Sequence, residues 1–388
     1  MLDRVDIFNQ LQTILVQPRS SQSLFEQVLA VWHKAHLEGE SFRDVVTSKQ
    51  WPFPVPQWFE PLQITHDVAS FDSAYGIIGV DGSQIYPDRF YSNADCFVIN
   101  TGGIEVSYKK PTSQVSFFSQ PYVYTLRDVL KRYGYDASAS KDLIDLIREE
   151  FEFKDGLIRA LAFREKEKDL PFLCLFDGSF VFWHLEGKPQ DIKELFLSTY
   201  MLYLRKFQEQ HIPLASYISL PRNRELCNAL RILMCERYVD QQVFCFADQA
   251  CACKVLQEFS DIDIIAQFVK SGQRTGIFMS RSSIADYYFD ELKPCFFFLN
   301  TGEEIGRVEL PWWLAKDKKY VDFVAQIIFD QAHKGLGYPM VLAEAHEQAV
   351  IKHHDKLFFY ELLEKLYKQQ NTIHRVAAKN LRKRRMPA

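Results

Sequence analysis

Two short stretches of the chain carry the same succession of residues, an apolar run followed by Asp-Gly-Ser. They are Ile77-Ile78-Gly79-Val80-Asp81-Gly82-Ser83 and Leu173-Cys174-Leu175-Phe176-Asp177-Gly178-Ser179. Asp-Gly between hydrophobic runs is first of all a hairpin signal, because both central residues of a tight turn take positive φ. The repetition admits a second reading. A carboxylate at the polar end of a buried strand is held rigidly, and the glycine after it lets a phosphate backbone approach. Two such carboxylates on neighbouring strands could share Mg²⁺ or Mn²⁺, which prefer oxygen ligands and keep positions open for water and phosphate. Paired ions of this kind stabilise the attacking and leaving oxygens of phosphodiester hydrolysis together.

Two further groups could join them. Arg148-Glu149-Glu150-Phe151-Glu152 lies in a long helical pattern whose acids ordinarily form a solvated face. Arg148 and Glu152 are four apart and face the same way, whereas Glu149 and Glu150 point elsewhere, so Glu152 is the acid that could reach the Asp pair. Tyr338 and His346 flank Pro339, a normal helix-entry residue. On a continuous helix they are separated by roughly 80° in azimuth and could border one cleft. A lone histidine is ordinarily a polar core or surface residue; His346 could instead ligate the metal or orient the attacking water. His353 and His354 are expected at the surface.

These residues must be positioned by an interleaved set of elements. Helical periodicity covers residues 3–36, and Trp51-Pro-Phe-Pro-Val-Pro56 predicts an extended connection. Strands are expected at 77–80, at 96–100 and 105–108 as a hairpin across Thr101-Gly102-Gly103, and at 172–176, 214–219, 276–280, 295–299 and 305–310. Helices are expected at 139–167, 190–210, 223–236, 320–334, 341–350 and 354–370. Such alternation predicts an α/β fold with a mixed sheet.

Taken in order, several segments resemble the NurA nuclease family. They are Gly79-Val-Asp81-Gly-Ser83, Arg148-x-x-x-Glu152, Phe176-Asp177-Gly-Ser179, Tyr217-Ile-Ser219-Leu-Pro221, Ser271-Gly-Gln-Arg274-Thr-Gly-Ile-Phe278 and Gly337-Tyr338-Pro339 with Ala345-His346. The resemblance implies a ribonuclease H-like mixed sheet flanked by helices, with additional N- and C-terminal helices. It implies a Mn²⁺-dependent nuclease, with Mg²⁺ as the alternative ion, that resects DNA from 5′ ends and cuts single strands. It further implies a homodimer working on single- and double-stranded DNA with a HerA-type hexameric ATPase in end resection and break repair. Carried onto this chain, Asp81, Glu152 and Asp177 are the metal carboxylates, and Tyr338 and His346 complete the site. The match spans about residues 75–350, so the expected organisation is an N-terminal helical region with its Pro-rich connection (1–70), a nuclease domain (71–370) and a basic tail (371–388).

Phosphate contacts need Arg or Lys near the site. Arg222 and Arg224 open a helix after Pro221, Arg274 and Arg281 flank a strand, and Lys109-Lys110 follows the first hairpin. The formal charge is −4, and because the last ten residues hold five basic side chains and no acid, the remainder carries −9. That balance excludes a passive nucleic-acid coat but not an enzyme with a local basic groove. The eight cysteines form no Cys-x-x-Cys pair and are expected as free thiols; the irregular spacing of Cys245, Cys251 and Cys253, without a nearby histidine, argues against a metal there. No signal peptide or membrane span is visible, which predicts a soluble cytoplasmic protein. No G-x-x-x-x-G-K-[ST] loop is present, so ATP-driven motion would belong to a separate protein. Two other readings fit the same residues: a catalytically inactive scaffold docking an ATPase motor, and a metal-dependent phosphomonoesterase.

Overall fold

The computed structural model describes residues 3–15, 22–87, 96–108, 112–134, 141–235 and 251–369. Lys109, Lys110, Cys245 and the basic tail lie outside them. The chain begins with α1 (Arg4–Leu15) and α2 (Gln22–Thr47), then β1 (Pro56–Trp58), β2 (Thr65–Asp67), β3 (Tyr75–Ile85), β4 (Cys96–Tyr108) and β5 (Gln114–Thr125). It continues with α3 (Leu126–Tyr133), α4 (Lys141–Lys166), β6 (Phe172–Asp177), α5 (Gln190–Glu209), β7 (Leu214–Ile218), α6 (Glu225–Met234) and α7 (Asp261–Ile265). It ends with β8 (Gln273–Thr275), β9 (Phe278–Ser280), β10 (Pro294–Asn300), β11 (Ile305–Pro311), α8 (Trp312–Ala315), α9 (Lys318–Lys334), α10 (Met340–Ala349) and α11 (His353–Gln369).

The strands form one mixed sheet in the order β1-β9-β10-β11-β7-β6-β3-β4-β5, with β2 and β8 paired beside β10. β6 runs parallel to β3 and to β7, whereas β3, β4 and β5 form an antiparallel meander. The parallel strands are apolar along their length because helices cover both faces, as burial of a parallel sheet requires. Alternation sorts β10 between two cores. Cys295, Phe297 and Leu299 enter the larger one, built around β3, β6, α4 and α9, while Phe296 and Phe298 enter a second with α2 and α6. The helices and the mixed sheet expected from the sequence are present, most boundaries shifting by a few residues and the N-terminal helical stretch running to Thr47 rather than to residue 36.

Two local readings are corrected. Thr101-Gly102-Gly103 is not a hairpin turn: β4 runs through it, with Gly102 opposite Asp81 and Gly103 opposite Val80. Its glycines serve proximity, since a Cβ on Gly102 would meet the backbone of α10, with Ala349 Cα 2.5 Å away. Residues 276–280 form not one strand but the second half of a broken pair, β8 and β9. The reading of eight free thiols is corrected as well. Cys251 is disulfide-bonded, whereas Cys96, Cys174, Cys227, Cys235, Cys253 and Cys295 stand outside any disulfide. The fold brings sulfurs from the segment around Cys251 together, which linear spacing does not reveal. Among the described residues no helix is long and apolar enough to cross a membrane.

Candidate active site

Asp81 and Asp177 are brought side by side by the sheet. Val80 is in register with Phe176 across the parallel β3–β6 pair, so Asp81, inside β3, and Asp177, at the end of β6, stand at one level on adjacent strands. Asp177 ends β6 at a turn carried by Gly178 at φ 100°, the conformation glycine tolerates best. That turn is held from β11: Glu309 accepts from the Ser179 hydroxyl at 2.8 Å and from the Phe180 N–H at 2.6 Å. Glu309 is itself fully buried and balanced by Arg307, which also donates to Glu225 at 2.6 Å and lies over the Phe296 ring. A buried charge triad thus fixes the open end of β6.

Glu152 approaches from α4, which packs across β3. Gly82 makes this possible, because a Cβ there would run into Glu152 Oε1 and lie 2.9 Å from Arg148 Cγ. Glu152 accepts a hydrogen bond from Arg148, whose guanidinium also lies 3.5 Å from the Gly82 carbonyl. Burial pushes the Glu152 carboxyl up to about 8; Arg148 opposes the shift, while Asp81, Glu149 and Asp177 add to it. The Asp177 carboxyl is likewise raised, by desolvation and then by Asp81. These shifts place the three carboxylates in one electrostatic environment.

The fourth wall is α10 and the turn before it. α10 lies against β3 and β4, and Asn100 donates to the Ala349 carbonyl at 2.8 Å. This seats His346 with Nδ1 2.9 Å from Asp81 Oδ2, while most of its side chain remains exposed. Tyr338 hydrogen-bonds to Asp177, and its phenol is raised by burial and by that carboxylate. Its ring meets Tyr217 edge-on at 5.7 Å.

The structure therefore brings together all five residues expected at the site, around a space wider than one tight ligand shell. Among the described residues, no three ligand atoms of its acids and histidine lie within 4.8 Å of one another. Mutual repulsion of carboxylates and the Arg148–Glu152 pair account for the spacing. The donor set still fits a hard divalent cation: all three acids offer oxygen, and two are held against their own ionisation by burial and by like charge. Positive charge placed among them would remove that penalty.

The NurA domain profile matches residues 75–351, most of the chain and every residue of this site. The chain belongs to the NurA family. A solved crystal structure of NurA shares 11% identity with it, covers 89% of this chain and 97% of its own, and gives a TM-score of 0.37. A crystal structure of NurA with manganese gives 11% identity, 87% and 97% coverage and a TM-score of 0.33. A third, NurA bound to dAMP and manganese, gives 11%, 91% and 95%, and 0.28. No curated protein matches the chain.

The basic residues of this NurA-family chain fare unevenly. Arg222 is exposed just past β7. Arg224 donates to the Leu256 carbonyl, and Arg281 donates to that of Val46 at 3.2 Å. Arg274 is corrected as a phosphate contact: it is 3% exposed, pairs with Asp322 at 2.9 Å and faces the Phe297 ring. Lys109 and Lys110 lie outside the described residues. Sequence reasoning missed Glu304, which accepts from Tyr217 and Ser219 at 2.6 Å each and so steadies the tyrosine against which Tyr338 rests. The two-residue spacing of Tyr217, in β7, and Ser219, just past its end, was the available signal.

Proposed function

We propose that this chain is a metal-dependent DNA nuclease in which Asp81, Glu152 and Asp177 hold Mn²⁺, or Mg²⁺ in its place. The observation that carries the reading is the convergence of a carboxylate within β3, another at the end of β6 and a helix carboxylate that share one electrostatic field. Family membership supports a nuclease-type function, and solved members of the family hold manganese, one of them with dAMP. The strand order, an antiparallel meander β5-β4-β3 continued by parallel β6 and β7, supports the ribonuclease H-like reading of the core.

When bound, such an ion lowers the pKa of a coordinated water and neutralises charge developing on the phosphate. The protein's own groups do the remainder. Tyr338 donates to Asp177 and fixes its orientation. Arg148 draws Glu152 towards its ionised form and holds it beside the backbone of Gly82. His346, open to solvent above Asp81, is placed to orient water or to take its proton. Arg222 is the described basic residue left open for phosphate near the end of β7. The finer assignment is a 5′–3′ exonuclease and single-strand endonuclease that acts as a homodimer with a HerA-type ATPase in end resection and break repair.

The deciding experiment follows 5′-labelled single- and double-stranded DNA with and without Mn²⁺, beside release of inorganic phosphate from monoesters. Mn²⁺-dependent shortening of DNA that Asp81→Asn and Asp177→Asn both eliminate supports the nuclease. Cleavage insensitive to both changes, or monoester hydrolysis alone, overturns it.

A further inference from the structure

Far along the sequence from the carboxylates, in the second core beneath α2 and α6, three sulfurs meet. Cys235 caps the C-terminal end of α6, and Cys251 and Cys253 open a 3₁₀ segment, Ala252–Glu258. Cys251 Sγ lies 3.2 Å from Cys253 Sγ and 3.6 Å from Cys235 Sγ. Among the described residues this is the one group of three or more Cys, His, Asp or Glu ligand atoms within 4.8 Å of one another. Cys235 and Cys253 are buried, next to Leu230 and Leu256 in the same apolar cluster. S–H groups are weak donors and weak acceptors, so hydrogen bonding gives little reason for three sulfurs to converge in such a place.

We infer that Cys235, Cys251 and Cys253 form a thiolate site for a soft divalent cation of the zinc class, available when the Cys251 disulfide is reduced. Three sulfur ligands at one point suit tetrahedral Zn²⁺ and leave its fourth position for water or another donor. Opening the site requires a two-electron reductant; a phosphine serves, leaving as its oxide with oxygen from water, and so does a dithiol. Two electrons and two protons pass to the disulfide, giving two thiols, and a dithiol reductant becomes a disulfide. Zn²⁺ then displaces one proton from each of the three thiols, so uptake is favoured by rising pH. The ion would join the end of α6 to the segment after residue 250, tethering two points of the chain and stabilising the second core rather than taking part in hydrolysis. The burial that raises the Cys253 thiol is offset once the sulfur is held by a cation.

The test uses the full chain, reduced with a phosphine, freed of reductant under nitrogen and titrated with Co²⁺. The expected result is near-ultraviolet sulfur-to-cobalt charge transfer that saturates at one equivalent, is displaced by Zn²⁺ and is absent after diamide oxidation. Cys253→Ser should weaken Co²⁺ binding at least ~10-fold with unchanged circular dichroism, and Asp81→Asn should leave the absorption intact. No charge transfer in the folded, reduced chain overturns the site, as does a signal undiminished in both Cys235→Ser and Cys253→Ser.

Discussion

Replacing Glu152 with glutamine is expected to stabilise the metal-free protein while removing its response to Mn²⁺. The Glu152 carboxyl stands at about 8 in the folded chain against 4.5 as its ordinary value, chiefly through burial. Between those two values the folded chain keeps a proton that the unfolded chain has released. Stability therefore falls as pH rises through the window and levels off above it. At pH 7 the penalty spans about 2.5 pH units at roughly 1.36 kcal/mol each, or about 3 kcal/mol. Glutamine resembles the protonated acid in shape and has no proton to lose, so the variant should match the parent near pH 4.5. It should exceed the parent by about 3 kcal/mol at pH 7. Urea unfolding in EDTA at several pH values, with unchanged m, measures the difference. Saturating Mn²⁺ should then reverse the order, because the parent gains binding energy in the folded state and the variant has lost a ligand. A Glu152→Gln protein less stable than its parent at pH 7 without metal, or a difference that does not vary with pH, would refute the reasoning.

Other outcomes follow from the same geometry. Asp81→Asn or Asp177→Asn should lower Mn²⁺-dependent DNA cleavage by ~10³ or more with native circular dichroism, since several kcal/mol of transition-state stabilisation are lost; labelled-oligonucleotide rates check this. Gly82→Ala and Gly102→Ala should separate function from folding. The first obstructs only Glu152 and Arg148 side chains, so cleavage should fall more than tenfold with little change in melting; the second drives a methyl into the α10 backbone and should cost about 1–3 kcal/mol in urea titration. Arg307→Leu leaves Glu225 and Glu309 buried without a counter-charge, and the urea midpoint should report a loss of about 3–5 kcal/mol.

Much of the site was legible because its signals are local. The apolar runs before Asp81 and Asp177 announced buried strands, and the four-residue step from Arg148 to Glu152 identified the acid on the inward face. The two Asp-Gly pairs look alike in sequence yet differ in the fold. Gly178 makes a turn at positive φ, while Gly82 lies within β3, in register with Thr101. Nothing within seven residues distinguishes them; the difference is a helix that must come close to one and not to the other. β5 and α3 went unforeseen because β5 is an edge strand with mostly exposed residues, lacking the buried apolar run that marks the inner strands. Arg274 was misjudged for the same physical reason: its partner Asp322 is 48 residues away, and only the fold brings the charges together.

The pairing of Pro56 with Ser280 joins residues more than two hundred positions apart, and Thr65 meets Thr275 in the same manner. Because closure entropy grows only with the logarithm of loop length, this separation weighs little on the finished molecule. Its weight falls on kinetics: an emerging polypeptide makes β1 and β2 long before their neighbours exist. The first strands synthesised must wait, unpaired, to be among the last to dock.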